Sequence, residues 1–362
     1  MLHPFAPKET PFGRPAARPG QGRIPLTVVT GFLGAGKTTL IRALLRSEAG
    51  ARSALIVNEF GEIGIDDALL RTSDERTVLL GNGCVCCAAS SDLHRTLREL
   101  FADRTRGQVP DFDRVIVETS GVADPTPVLQ ALATDRALAA QFALAGLVTV
   151  VDAVNASASA RQPEWRKQVA LADRIIVTKG DLAEPFVLER LGSMLDELAP
   201  HALRATAVAG DIDPRYVLAP GAEEMGRVTF AADAHDHDHD HNDHSGHHHD
   251  HHHSERYQTF TLTREAPIDW AVMQQALDTL SALVGPSLLR LKGFVRVRGR
   301  PGPVVVHRVQ HLSHAPEELS AWPGEERTRL VVIGQDLDQA KVTALVEAVW
   351  AFDPGEGARH HV

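Results

Sequence analysis

Cysteine is scarce in this chain, and its three copies all fall within four residues, from Cys84 to Cys87. Thiols concentrated in this way cannot form a disulfide framework, which needs pairs spread along the sequence. The chain also lacks the apolar run of 18 or more residues that a membrane-spanning helix requires, and residues 1–23 contain no apolar core of a secretory signal. We therefore expect a cytoplasmic protein with reduced thiols and no membrane partner.

An excess of basic residues is also missing. Aspartate and glutamate number 47 against 37 lysines and arginines, which gives a formal net charge of −10. This balance argues against nucleic acid as the main partner. Apolar residues make up 43% of the 362 residues and charged residues 23%, as in globular proteins that need no disulfides to fold.

The stretch GFLGAGKT, residues 31–38, fits the phosphate-binding pattern G-x(4)-G-K-[ST]. A short apolar run precedes it and an amphipathic helical pattern follows, so backbone N–H groups and a helix N-terminus converge on one place. Lys37 is the predicted catalytic lysine at the β- and γ-phosphates, and Thr38 the predicted Mg²⁺ ligand. The remaining predicted nucleotide contacts in this segment are Gly31, Gly34, Ala35, Gly36 and Thr39.

Short apolar runs alternate with helical patterns over the first two thirds of the chain. This alternation predicts an α/β fold, a P-loop domain with a mostly parallel sheet covered by helices on both faces. The pattern does not give the strand order. The predicted strands are 24–30, 53–58, 77–80, 114–118, 144–151, 174–178 and 203–208, with helices at 92–101, 163–172 and 184–198 among those between them.

A second globular pattern begins near residue 256. Its predicted order is β-α-β-β-β-α, a small α+β domain, with strands at 257–263, 288–298, 303–309 and 329–333 and helices at 269–283 and 337–350. We therefore divide the chain into a disordered tail at 1–23, the P-loop domain at 24–225, a mobile linker at 226–255, the C-terminal domain at 256–352 and a tail at 353–362.

An apolar strand ends in Glu118 and is followed by Gly121. A P-loop enzyme needs an acid at such a position for Mg²⁺ or its water, and a flexible turn beside the γ-phosphate. We predict that Glu118 is catalytic and that the N–H of Gly121 senses the γ-phosphate.

The run T-K-G-D, residues 178–181, follows a later strand. The Asp181 carboxylate can accept both N1–H and the 2-amino group of guanine, which adenine cannot match. Lys179 is expected to lay its stem across the base. GTPases usually carry asparagine where this chain has Thr178, so we expect the amide contacts of that residue to be lost.

Cys84, Cys86 and Cys87 form a Cys-x-Cys-Cys loop without a second cysteine pair. Thiolates bind soft transition metals, and an incomplete ligand set suits transfer better than permanent structural binding. Glu62, after the second strand, is a further predicted ligand; the alternative of a solvated acidic turn stays open there.

Residues 235–253 contain eleven histidines and five aspartates and no apolar side chain. The segment cannot pack a core and is expected to be mobile. Its imidazoles, including His235, His237, His239 and His241, can bind several divalent ions weakly. We predict metal collection, with a solubilising linker as the alternative. The scattered His201, His307, His311 and His314 are expected to be surface or packed residues.

The chain resembles the CobW-like GTPases, metallochaperones related to the urease and hydrogenase nickel-insertion GTPases. The matching stretches are GFLGAGKTTL, NEFGE, GNGCVCC, ETSGVADP, VVDA and TKGD, followed by LLRLKG and HRVQHL in the C-terminal domain. In this family the cysteine loop, with Cys86 at its centre, is the internal metal site. Some members carry glutamate where this chain has Val57, so a site built on that glutamate is absent here.

The resemblance implies a GTPase that couples Mg²⁺-GTP hydrolysis to the loading or release of Zn²⁺ or Co²⁺ for a client metalloprotein. The C-terminal domain would recognise the client, or a second copy of the chain in a homodimer formed on nucleotide or metal binding. Three alternatives remain open: a cobalt chaperone for cobalamin synthesis, a metal-storage protein, and a small-molecule kinase.

Overall fold

The computed structural model describes residues 22–58, 78–81, 89–218 and 257–355. Glu62, the three cysteines and the histidine-rich segment lie outside these ranges, as do most of the two predicted tails and the linker.

In the described part of the N-terminal region, seven parallel strands form one sheet in the order β3-β2-β4-β1-β5-β6-β7. Every neighbouring pair in this sheet is parallel, as predicted. The strands are β1 (Ile24–Gly31), β2 (Ser53–Asn58), β3 (Val78–Gly81), β4 (Arg114–Thr119), β5 (Phe142–Asp152), β6 (Arg174–Thr178) and β7 (Leu203–Ala207).

The apolar runs of β1, β4 and β6 are buried almost throughout, because helices cover both faces of the sheet. The helices are α1 (Lys37–Arg46), α2 (Ala89–Thr105), α3 (Thr126–Thr134), α4 (Arg136–Gln141), α5 (Ala156–Ser159), α6 (Pro163–Ala170), α7 (Pro185–Leu198) and α8 (Arg215–Leu218). Because the strands are parallel, the carboxyl ends of β1, β4, β5 and β6 share one edge of the sheet, where ligands bind in such folds.

The described C-terminal region forms an antiparallel sheet in the order β11-β10-β9-β13-β8, and the short β12 pairs with β10. Two helices pack on this sheet, which confirms the predicted α+β class. The elements are β8 (Tyr257–Arg264), α9 (Trp270–Val284), β9 (Leu288–Val295), β10 (Val304–Val309), β11 (Leu312–Ser313), β12 (Glu317–Glu318), β13 (Thr328–Gln335) and α10 (Gln339–Trp350).

The two regions share a hydrophobic core. Tyr257, Leu289 and Ile333 of the C-terminal sheet belong to the same buried cluster as Trp165 and Leu171 of the N-terminal region. The C-terminal sheet therefore packs directly on the P-loop domain, close to α6.

Most sequence-based boundaries lie within three residues of those observed. The helix predicted at 92–101 is too short, since α2 extends to Thr105. The strand predicted at 288–298 is too long, since β9 ends at Val295, and the helix predicted at 163–172 ends at Ala170. Residues 171–173 leave the helix to contact the C-terminal domain, as described below, and such tertiary contacts leave no periodic pattern in the sequence.

Candidate nucleotide-binding site

The phosphate-binding segment lies between β1 and α1, as its pattern predicts. Gly36 precedes the first residue of α1 with φ 96°, a left-handed conformation that only glycine adopts without strain. The ammonium group of Lys37 donates to the carbonyl oxygens of Gly31 at 2.9 Å and Phe32 at 3.3 Å. Its charge is therefore held over the loop, where backbone N–H groups at a helix N-terminus favour phosphate.

Glu118 and Thr38 come together although 80 residues separate them in the sequence. The Thr38 hydroxyl donates to Oε1 of Glu118 at 3.0 Å, and Glu118 is only 2% exposed at the end of β4. A hydroxyl and a carboxylate oxygen are the hard donors that Mg²⁺ prefers. The two side chains thus fit a Mg²⁺ ion at the edge of the phosphate loop.

Thr178 contacts the phosphate-binding segment from the end of β6. Its hydroxyl donates to the carbonyl oxygen of Ala35 at 2.7 Å and lies 3.3 Å from that of Val151. Thr178 therefore contacts the phosphate loop through its hydroxyl, a contact that the sequence did not predict.

Lys179 also contacts the phosphate loop. Its backbone is left-handed, with φ 55°, and its ammonium group donates to the Gly34 carbonyl oxygen at 2.9 Å and to Oδ2 of Asp152 at 2.6 Å. Asp181 is exposed two residues further on, in a short 3₁₀ turn. A cleft of about 330 Å³ opens beside Lys179 and Gly34.

Asp152, to which sequence reasoning assigned no role, anchors this corner of the site. It also accepts hydrogen bonds from the Asn155 side chain at 2.7 Å and from the Val154 backbone N–H at 2.9 Å. Burial would raise the pKa of Asp152, but the hydrogen bonds from Lys179 and Asn155 and the charge of Lys179 hold the pKa below its usual range. The detectable signal was a carboxylate at the end of an apolar strand, the same pattern that identified Glu118.

The predicted Gly121 lies in the loop that follows β4, against the phosphate-binding segment. A Cβ atom placed on it would come within 2.6 Å of the Leu33 side chain and 2.8 Å of the Leu33 backbone nitrogen. The remaining predicted contacts, Gly31, Gly34, Ala35 and Thr39, lie in or directly after the same segment.

The predicted transition-metal ligands cannot be placed, because Cys84, Cys86, Cys87, Glu62 and His235 to His253 lie outside the described residues. Within the described ranges, no three histidine, cysteine, aspartate or glutamate side chains come together as a metal site. His201 is buried, and the rings of His307 and His314 stack at 4.5 Å. In those same ranges no helix is long and apolar enough to cross a membrane.

Comparison with known proteins covers nearly the whole chain. Residues 25–204 match the CobW/HypB/UreG nucleotide-binding domain, and residues 257–350 match the cobalamin synthesis protein cobW C-terminal domain. The chain is 31% identical to the zinc chaperone YjiA of Escherichia coli K12 over 89% of this chain and 97% of that protein. It is 35% identical to the zinc chaperone CobW of Pseudomonas aeruginosa over 88% of this chain and 90% of that protein.

Similarity to a solved structure extends over both regions. The crystal structure of Zn(II)-bound YjiA GTPase from E. coli aligns with a TM-score of 0.64 at 25% identity, covering 91% of this chain and 99% of that one. Because both the sequence matches and the structural match span the two regions, the resemblance seen in the sequence is confirmed. The chain belongs to the CobW/HypB/UreG family of P-loop GTPases.

Proposed function

We propose that this GTPase is a zinc metallochaperone, in which Mg²⁺-GTP binding and hydrolysis control a zinc ion held by Cys84, Cys86 and Cys87. Zinc is the cargo and is delivered to a client metalloprotein. The curated relatives named zinc chaperones support the choice of metal, and the thiolate ligands suit it.

The observation that carries the proposal is the position of β3. This strand ends at Gly81 on the same sheet edge as the phosphate-binding segment and Glu118, and Cys84 follows three residues later. Three steps across the sheet separate β3 from β1, or about 14 Å at the usual strand spacing. The strand β2, between β3 and β4, ends at Asn58, shortly before the predicted metal ligand Glu62 in the sequence. If γ-phosphate binding changes the conformation at this edge of the sheet, the segment that follows β3 and carries the thiols would therefore change as well.

The described residues have distinct roles in this proposal. Lys37 and the loop N–H groups bind the phosphates, while Thr38 and Glu118 hold Mg²⁺, which supplies charge neutralisation at the β- and γ-phosphates when bound. Asp181 accepts from guanine, and Lys179 lies beside the base. Gly121 contacts the γ-phosphate through its N–H.

The test is a zinc competition titration in three states: nucleotide-free, with Mg²⁺-GDP, and with Mg²⁺ and a non-hydrolysable GTP analogue. We expect zinc affinity to differ between the GDP and analogue states, and zinc to change analogue affinity by the same factor, as linkage requires. The double variant Cys86→Ser, Cys87→Ser should lose tight zinc binding and this coupling while retaining GDP binding. Equal zinc affinity in all three states would refute nucleotide control.

Two controls separate the alternatives. Deleting residues 235–253 should remove weakly bound ions but leave the tight site unchanged; loss of the tight site would show that these imidazoles are its primary ligands. Many weakly bound ions per chain that do not respond to the GTP analogue would favour the metal-storage alternative. Repeating the titration with Co²⁺ tests the cobalt alternative, which requires the nucleotide-coupled site to prefer Co²⁺ at matched free-ion concentrations.

The variant Lys37→Ala should abolish GTP hydrolysis, since the ammonium charge of Lys37 offsets phosphate charge.

A further inference from the structure

A fully buried glutamine lies behind the loop that follows β4. Gln168, in α6, is 0% exposed, and its side-chain amide donates to the carbonyl oxygens of Gly121 at 3.2 Å and Ala123 at 3.0 Å. Its own backbone carbonyl accepts from the Thr149 hydroxyl at 2.7 Å, which fixes this turn of α6 to β5. The backbone of this loop is therefore held by the side-chain amide of Gln168, and the helix that carries Gln168 is bonded to the central sheet.

Keeping an amide in this position has a cost. The Oε1 atom of Gln168 accepts no hydrogen bond from the described residues, and a buried polar atom without a protein partner is unfavourable to the fold. An apolar side chain would fill the same space without an unsatisfied oxygen, but it would leave the carbonyls of Gly121 and Ala123 without this donor. Glutamine therefore differs from an apolar residue at this position in its hydrogen bonds to the loop.

The opposite side of the loop touches the phosphate-binding segment. Only a glycine fits at position 121, because a Cβ would lie 2.6 Å from the side chain and 2.8 Å from the backbone nitrogen of Leu33. Just before it, the Thr119 hydroxyl donates to the hydroxyl of Thr30 at 2.8 Å. The loop is thus held between β1 and the phosphate segment on one side and Gln168 on the other.

The segment directly after this helix contacts the C-terminal domain. The carbonyl oxygen of Leu171 accepts from Nη1 of Arg290 at 2.8 Å, and Asp173 accepts from Nη2 of Arg290 at 2.9 Å. Lys167, next to Gln168, pairs with Asp124 at the end of the loop at 2.8 Å. The element that supports the loop is therefore itself fixed by the neighbouring domain.

We propose that Gln168 is a positioning residue for GTP hydrolysis: its two N–H donors hold the backbone of residues 121–123 ready to receive the γ-phosphate. The inference rests on the proposed contact between Gly121 and the γ-phosphate. Because the loop is ordered before the nucleotide arrives, less conformational entropy is lost on binding. The benefit applies only to ligands that carry a γ-phosphate, so Gln168 discriminates GTP from GDP and supports turnover.

The test uses Gln168→Met, which keeps the length of the side chain and removes both donors. The Kd values for Mg²⁺-GDP and for a non-hydrolysable Mg²⁺-GTP analogue are measured together with kcat and KM. We expect analogue affinity and kcat each to fall by about tenfold, because the lost donors leave the loop less ordered for the γ-phosphate, with GDP affinity unchanged. Glu164→Gln, on the exposed side of the same helix, is the matched control and should change none of these values.

Three results would overturn the proposal: equal weakening of GDP and analogue, which indicates a merely structural role; unchanged affinity and kcat in a folded variant; or tighter analogue binding. Hydrogen exchange of the wild-type protein gives a readout that does not depend on the variant folding. The Ala123 N–H, which donates to the carbonyl oxygen of Ser120 at 3.1 Å, should exchange slowly in the nucleotide-free protein; exchange at the rate of an unstructured peptide would contradict an ordered loop.

Gly121→Ala separates this inference from the role assigned to Gly121. If Gly121→Ala bound the analogue with wild-type affinity, the proposed contact between Gly121 and the γ-phosphate would be refuted, and the inference about Gln168 with it. Weakened analogue binding in Gly121→Ala, combined with wild-type behaviour in Gln168→Met, refutes the role of Gln168 alone.

Discussion

At the scale of single residues, the site depends on two ammonium groups held over the phosphate-binding segment, one by near and one by distant partners in the sequence. The ammonium group of Lys37 donates to carbonyl oxygens of its own loop, whereas that of Lys179 donates to the Gly34 carbonyl oxygen and pairs with the Asp152 carboxylate. The left-handed backbone of Lys179 is uncommon for a residue with a side chain, and such backbones recur at ligand sites. The Asp152 carboxylate keeps the ammonium group in this position.

Replacing Asp152 with asparagine should weaken guanine nucleotide binding. Asp152→Asn removes the negative charge opposite Lys179 but preserves most of the side-chain shape. A hydrogen bond to a charged group contributes about 1.5–3 kcal/mol, so we expect GTP and GDP affinities to fall together by roughly tenfold, with kcat nearly unchanged. Fluorescent-nucleotide titration and steady-state hydrolysis provide the measurements.

The matched control is Asp196→Asn, which removes an exposed partner of Arg204 and should leave both nucleotide affinities at wild-type values. If Asp152→Asn instead lowered kcat at unchanged affinity, Asp152 would belong to the chemistry rather than to base recognition.

At the scale of elements, β6 connects the domain interface to the nucleotide site. Asp173, directly before β6, pairs with Arg290 at 2.9 Å and with Lys292, both from β9, and accepts from the Leu147 N–H at 2.8 Å. Burial would raise the pKa of Asp173, but the charges of Arg290 and Lys292 outweigh it and hold the pKa well below its usual range. At the other end of the same strand, Thr178 contacts the phosphate loop.

Loss of the Asp173 charge should destabilise the protein. Asp173→Asn leaves two nearly buried cations without their counter-charge, and breaking such a pair costs about 3–5 kcal/mol. We expect the midpoint of urea unfolding, followed by tryptophan fluorescence, to fall clearly. The double variant Asp173→Asn, Lys292→Met should recover part of the loss, because one unpaired cation is removed.

Asp213→Asn is the surface control, because Asp213 pairs only with the exposed Arg215 among the described residues; its midpoint should stay near that of the wild type. A wild-type midpoint for Asp173→Asn would show that the buried charges contribute nothing to the domain interface.

At the scale of the whole molecule, histidines at the domain junction make stability depend on pH. Burial and the charge of Arg290 lower the pKa of His314 from 6.5 to about 4, and burial, followed by Arg290, likewise lowers the pKa of the stacked His307. The folded state therefore keeps these rings neutral, while the unfolded chain protonates them below pH 6.5. Their contribution to stability is complete above pH 6.5 and is lost as the pH falls toward 4.

Each such histidine should lower the free energy of unfolding by about 1 kcal/mol as the pH falls from 7 to 5.5. We expect the Tm measured by thermal denaturation to decline over this interval. The decline should be shallower in His314→Phe, because phenylalanine retains a stacked ring without a titrating group. The exposed His311→Asn is the control and should follow the wild-type curve. Parallel curves for wild type and His314→Phe would show that His314 does not titrate on unfolding.

The local features could be predicted from the sequence alone: the phosphate-binding segment, most strands and helices, Glu118 at a strand end and the family. Each of these depends on residues within a few positions of one another, where pattern and chemistry are visible together. The cysteine loop and the histidine-rich segment stay predictions from sequence, since they lie outside the described residues.

The contacts between distant residues, by contrast, depend on the three-dimensional packing and could not be predicted. Strand order brings Asp152 beside Lys179 and Thr178 beside Ala35, and helix packing places Gln168 behind Gly121. The buried charges of Asp173, Arg290 and Lys292 belong to an interface between two regions separated by more than a hundred residues. A periodic pattern shows which face of an element is buried, but not what it is buried against, because that depends on how the neighbouring elements pack.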